Sequence, residues 1–172
     1  RVENAHVDVA DGVIEVDIAM DGRRCFPGVI FRAESEGDTE VFYLQPHRSV
    51  NYSHALQYTP RFKGVTGWQL YSGPGFTANA EIPLDRWVHL KIEVLGTRAR
   101  VFFDDIESRA LVIGDLKRGT AGGFIGVTGP PDGRVHYSNF SFTSTKDLDF
   151  GPEPIRVASA VVGRGDGRRH RG

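Results

Sequence analysis

RWVHLKIEVLGTRARVFFDD, residues 86–105, is the stretch on which the fold reading turns. Val88, Leu90, Ile92 and Val94 alternate with His89, Lys91 and Glu93, and successive side chains of a strand point to opposite faces, so Trp87–Val94 is a half-buried strand. A second strand follows at Ala99–Asp104. Gly96-Thr97 between them is a turn signal, and the pair reads as a β-hairpin. Working outward, Ile14, Val16, Ile18 and Met20 alternate with Glu15 and Asp17, and Asp21-Gly22 marks the next turn. Val29 and Phe31 alternate with Ile30 and Arg32, then Phe42 and Leu44 with Tyr43, Gln45 and His47. Ala55–Phe62, Thr66–Ser72, Ala110–Leu116, Gly122–Thr128 and Val135–Thr143 complete the set, separated by Gly, Pro, Asp and Asn. About ten short strands at this spacing predict an all-β, two-sheet antiparallel β-sandwich, a jelly roll with little or no helix, because each sheet must bury its apolar face.

The composition agrees. The chain has 172 residues and a formal net charge of −1, with 40% hydrophobic and 25% charged residues, the profile of one globular domain. No apolar run approaches the roughly 18 residues of a membrane-spanning helix. The single cysteine, Cys25, excludes an intrachain disulfide framework and a CxxC site. It leaves the compartment open, and a secreted or cell-envelope location is compatible with it. Residues 1–146 are expected to form the sandwich. Asp147–Pro154, with two prolines and a glycine, reads as a linker, and Ile155–Val162 as an extra strand that docks on a sheet edge. Residues 164–172 hold four arginines against Asp166 and no apolar residue, and so read as a basic, disordered tail. The rest of the chain is mildly acidic with scattered basic residues, which argues against a nucleic-acid partner.

Several ordered pieces carry a family resemblance. DGVIEVDI (11–18), PGVIFRAES (27–35), EVFYLQPHRS (40–49), QYTP (57–60) and GWQLY (67–71) precede the hairpin, and DLKRGTAGGFIGV (115–127) and YSNFSF (137–142) follow it. Together they resemble the concanavalin A-like lectin/glucanase superfamily, above all bacterial laminin-G-like and 3-keto-disaccharide-hydrolase-like jelly rolls, over residues 10–143. The resemblance implies two curved antiparallel sheets. It leaves activity open, because the superfamily includes lectins, glycosidases and structural modules.

Arg32, Tyr43, Gln45, His47, Gln57, Gln69 and Tyr71 share the polar parity of neighbouring strands and are expected to form one polar, aromatic-containing face. Arg, amides and Tyr fork hydrogen bonds to hydroxyls, and aromatic rings pack on C–H faces, so the expected partner is a carbohydrate or glycoconjugate. Trp68, with the parity of Leu70, and Trp87, which begins the strand whose Val88, Leu90, Ile92 and Val94 are apolar, read as core or rim. The main expectation is a non-catalytic carbohydrate-binding or recognition module. One alternative is a glycoside-acting hydrolase resembling 3-keto-disaccharide hydrolases, with Arg32, Glu40, Tyr43 or His47 near the sugar. Another is a structural or interaction module of a larger protein.

Family-16-type glucanases carry E-x-D-x-E or E-x-D-x-x-E on a strand. Glu15-Val16-Asp17-Ile18-Ala19-Met20 departs from this where the last carboxylate belongs, so Glu15 and Asp17 read as surface charges. The six histidines form neither HxH nor HExxH, and no cofactor or transition-metal site is expected. By resemblance to laminin-G-like relatives, calcium on Asp104, Asp105 and Glu107 or Asp132 is the weaker expectation.

Overall fold

A computed structural model describes residues 8–49, 53–130 and 132–152. The strands are β1 (Gly12–Met20), β2 (Gly28–Ser35), β3 (Asp38–Leu44), β4 (Leu56–Arg61) and β5 (Thr77–Ala78), then β6 (Trp87–Leu95), β7 (Arg98–Phe103), β8 (Asp105–Ile113), β9 (Phe124–Thr128) and β10 (Val135–Ser144). They form two five-stranded antiparallel sheets, ordered β10-β1-β6-β7-β8 and β5-β4-β3-β2-β9. The all-β sandwich is as expected. Two short 3-10 turns, Pro46–Arg48 and Trp68–Leu70, are the only helical segments among the described residues, and none of the helices there is long and apolar enough to cross a membrane.

Alternation builds the core. Ile14, Val16, Ile18 and Met20 on β1 and Val88, Leu90, Ile92 and Val94 on β6 are buried, and from the other sheet Phe31, Phe42, Leu44, Leu56 and Tyr58 join the same apolar cluster. The hairpin read from Gly96-Thr97 joins β6 to β7, with Leu95 opposite Arg98.

Two departures matter for the site. Thr66–Ser72 is not a strand: it forms the Trp68–Leu70 turn, and the strand pairing with β4 is instead the two-residue β5, through Leu56–Ala78 and Gln57–Thr77. With Gly64, Gly67, Gly73 and Gly75 around it, residues 66–72 lack a ladder to hold them extended. The second departure lies in β2. Its register slips against both neighbours after Ile30 and Phe31, and Arg32 takes a left-handed φ of +47°. A slip of one residue exchanges the faces of a strand, so Arg32 enters the interior instead of the outer surface.

The described part of the expected linker is docked. Arg98 Nη1 donates to the carbonyls of Phe150 (3.1 Å) and Pro152 (3.2 Å), and Arg100 Nη1 to that of Asp149 (2.7 Å). Both guanidiniums lie over the Phe150 ring, at 5.3 and 4.1 Å from its centroid. Residues 147–152 therefore form a strap across the outer face of β7. Ile155–Val162 and the basic tail lie outside the described residues.

Candidate functional site

The register of β3 on β4 sets one outer face. Tyr43 faces Gln57, Val41 faces Thr59 and Thr39 faces Arg61, while Glu40, Phe42 and Leu44 point inward. Gly28 of β2 lies opposite Tyr43. A Cβ at Gly28 would stand 2.0 Å from the Phe42 carbonyl oxygen and 2.6 Å from Tyr43 Cα, so the close approach of β2 to β3 beneath Tyr43 requires glycine.

Over this face opens a groove of about 320 Å3. Val41, Tyr43, Thr59 and Arg61 line it from β3 and β4, and Thr128 from β9. Arg24 and Phe26 come from the segment before β2, Gln45, His47, Arg48 and His54 from the β3–β4 connection, and Thr66 and Trp68 from the turn that replaces the expected strand. The aromatic groups are locked together. Phe26 meets the Tyr43 ring edge-on at 5.7 Å and the His47 ring at 5.5 Å, and Arg24 lies 5.9 Å from the Phe26 centroid. Trp68, expected in or beside the core, is 46% exposed and stands at the groove. Trp87 is 52% exposed at the start of β6, on the other sheet.

Of the seven predicted residues, Tyr43, Gln45 and His47 line the groove. Arg32 does not. It is 2% exposed, and its Nε donates to Ala10 O (2.7 Å), its Nη1 to Gly96 O (2.6 Å) and Gly119 O (2.8 Å), and its Nη2 to Asp11 Oδ1 (3.0 Å). It ties the entry to β1, the β6–β7 turn and the 114–123 connection into one knot. Gln57 is buried beneath the face, with Nε2 donating to Tyr58 O (2.8 Å) and Tyr71 O (2.7 Å). Gln69 lies exposed on the Trp68–Leu70 turn, and Tyr71 packs on Phe76 with centroids 5.5 Å apart. Gln45 uses its Nε2 to hold His54 O at 2.8 Å, which shapes the β3–β4 connection.

Arg24, Phe26, Arg48, His54, Thr59 and Arg61 were not singled out in the sequence, and Trp68 was assigned to the core or its rim. Thr59 and Arg61 were legible there as the continuation of the Gln57 parity. The groove residues outside the strands had no periodicity to reveal them.

Electrostatics give the groove its character. None of its lining residues among those described is Asp or Glu. Burial lowers the pKa of His47, and Arg48, Arg24 and His54 push it down further; burial and Arg48 act the same way on His54. Burial raises the Tyr43 phenol to about 12. Glu40, weighed above as a catalytic group, is fully buried: Oε2 accepts from Tyr58 OH at 2.7 Å and Oε1 from Arg118 N at 2.9 Å. Its pKa is raised by burial against the pull of these donors.

The other acidic candidates lie elsewhere. Glu15 and Asp17 are on the outer face of the opposite sheet and grip His89 between them, Oε1 to Nε2 at 2.9 Å and Oδ1 to Nδ1 at 2.7 Å. Asp104 pairs with Arg86 at 2.7 Å and Asp132 with Arg134 at 2.6 Å, and Arg134 holds the Asp132 carboxyl at about 2. These two weighed calcium ligands thus meet arginines, and no group of three metal-ligating side chains occurs among the described residues.

The carbohydrate-binding module CBM66 from Bacillus subtilis superposes with a TM-score of 0.63 at 16% identity, over 80% of this chain and 78% of that one. The fold is a lectin-like jelly roll. Chicken galectin 2 matches with a TM-score of 0.60 at 10% identity, covering 80% of this chain and 94% of its own. A provisionally named glycosyl hydrolase from Parabacteroides distasonis matches at 0.57 and 11%, over 84% and 85%. No protein-family model matches the chain, and no curated protein matches it in sequence.

Proposed function

We propose that the chain is a carbohydrate-binding module whose sugar site is the groove over β3 and β4. The observation that carries this reading is the grouping of Trp68, Phe26 and Tyr43 with Arg, Gln and His side chains in one preformed groove. Aromatic faces take the C–H face of a sugar ring, and the polar groups fix its hydroxyls. Two solved neighbours by fold, a carbohydrate-binding module and a galectin, support the reading.

The same chemistry favours binding over hydrolysis. A glycosidase of the common kind works with two carboxyl groups flanking the scissile bond. The described lining offers arginine and histidine instead, and Glu40 is turned into the core.

A glycan array followed by calorimetry tests the proposal. At least one glycan should bind, and Trp68→Ala or Tyr43→Ala should weaken it by at least tenfold, about 1.4 kcal/mol. Trp87→Ala, on the opposite sheet, should leave affinity unchanged. Binding that survives both groove substitutions would remove the site from this face, and a silent array would overturn the proposal.

A further inference from the structure

We infer that the groove selects acidic saccharides, bearing carboxylate or sulfate groups, over neutral ones; this rests on the carbohydrate-binding reading and narrows its ligand class. Elsewhere in the molecule arginines meet carboxylates. Arg23 pairs with Asp21, Arg86 with Asp104, Arg100 with Glu93, Arg118 with Asp38 and Glu34, and Arg134 with Asp132. The chain has 22 acidic residues against 21 Lys and Arg, so carboxylates are not scarce. Arg24 and Arg61 nevertheless make no ion pair among the described residues, and both line the groove.

Their placement suits an extended ligand. Arg24 stands over Phe26, next to Tyr43 at one end of β3. Arg61 lies opposite Thr39 at the other end, four residues and about 13 Å away at the rise of a strand. Cations towards the two ends of this strand segment can meet acid groups on different sugar units, with Tyr43 and Trp68 available for the rings. A guanidinium matches the two oxygens of a carboxylate or sulfate with paired donors, which a neutral hydroxyl cannot return. With no carboxylate in the described lining to compensate it, the positive potential is left for the ligand.

The experiment is an array holding acidic and neutral glycans, then calorimetry on matched pairs: polygalacturonate against its methyl ester, and dextran sulfate against dextran. Poly-glutamate serves as a polyanion without sugar. The acidic member of at least one pair should bind ten times or more tightly, with an advantage that shrinks between 50 and 300 mM salt. The pair that responds tells carboxylate from sulfate. Arg24→Gln with Arg61→Gln should bring the acidic-to-neutral ratio towards one; Arg24→Gln alone, at an exposed position, tests the same point if the double variant loses its melting transition. Hits confined to neutral glycans would overturn the acidic preference and leave the carbohydrate site standing. Silence from every glycan would overturn both. Poly-glutamate binding as tightly as the best acidic glycan would show capture of charge and also overturn the inference.

Discussion

The outer faces of the two sheets use the same kinds of side chain and arrange them in opposite ways. On β1, β6 and β7 the charges answer one another: His89 sits between Glu15 and Asp17, Asn139 donates to Asp17 at 2.7 Å, and Glu93 receives Arg100 at 2.6 Å and Lys91 at 3.4 Å. The strap through Phe150 then covers part of the ladder. On β3 and β4 the arginines stand among aromatic rings, with no carboxylate in the described lining. Polar residues on a sheet are therefore not in themselves a sign of binding. What separates the faces is whether the charge is satisfied within the protein: Arg24 and Arg61 stand in the groove beside Phe26 and Trp68 with no ion pair among the described residues.

Arg32 belongs to neither face and supports both. Arg32→Met removes a buried cation, leaving Asp11 and three carbonyls without their partner. A loss of about 3 kcal/mol or more in denaturant unfolding is expected, with groove and strap failing together. A variant as stable as the parent would show that the knot is dispensable.

A smaller effect separates the faces. Phe150→Ala removes the ring that Arg98 and Arg100 cover and should lower stability by about 1 kcal/mol. Affinity at the groove should stay the same, since strap and groove lie on different sheets. Weaker glycan binding in this variant would mean that the two faces are coupled.

The smallest effects come from pH, and the faces should respond with opposite sign. Burial lowers the His89 pKa, but its bonds to Asp17 and Glu15 outweigh burial and raise it above 6.5. Its contribution is therefore complete below pH 6.5 and fades as pH rises through the higher folded value. Asp17 is lowered by its bonds to Asn139 and then His89, so the pairing also fades in acid as that carboxylate takes up a proton. His47 and His54 lie below 6.5 in the fold, so protonating them costs stability as pH falls beneath that value. Melting temperatures from pH 5 to 8 should show His89→Gln most destabilised relative to the parent near pH 5.5 and least near pH 8. His47→Gln should instead improve on the parent as pH falls. Parallel curves for the two variants would remove the electrostatic distinction.

The sandwich was legible because its signal is local and repeated. Ile14 to Met20 and Val88 to Val94 follow a period of two that any strand must obey, and the Gly96-Thr97 turn needs only the residues beside it. Parity also placed Tyr43 on the outer face, since β3 keeps its register on β4 as far as Leu44; Gln45 and His47 lie past the strand end and line the groove from the β3–β4 connection. It failed at Arg32, where a slip and a left-handed residue turn the side chain inward, and at Trp68, where a turn replaces the strand whose parity assigned it to the core.

From its sequence alone this protein was bound to be an all-β sandwich with one mixed polar and aromatic strand face, because alternation and turn residues act between near neighbours. Which polar residues line the groove was decided by tertiary structure. Arg24, Arg61 and Trp68 become neighbours only when the segment before β2, the end of β4 and the 66–72 turn close around one groove. The amides of Gln45 and Gln57 are held by carbonyls of segments that arrive from elsewhere in the chain. Whether a charge meets its opposite or remains open to solvent depends on contacts between distant segments, and no periodicity along one strand records them.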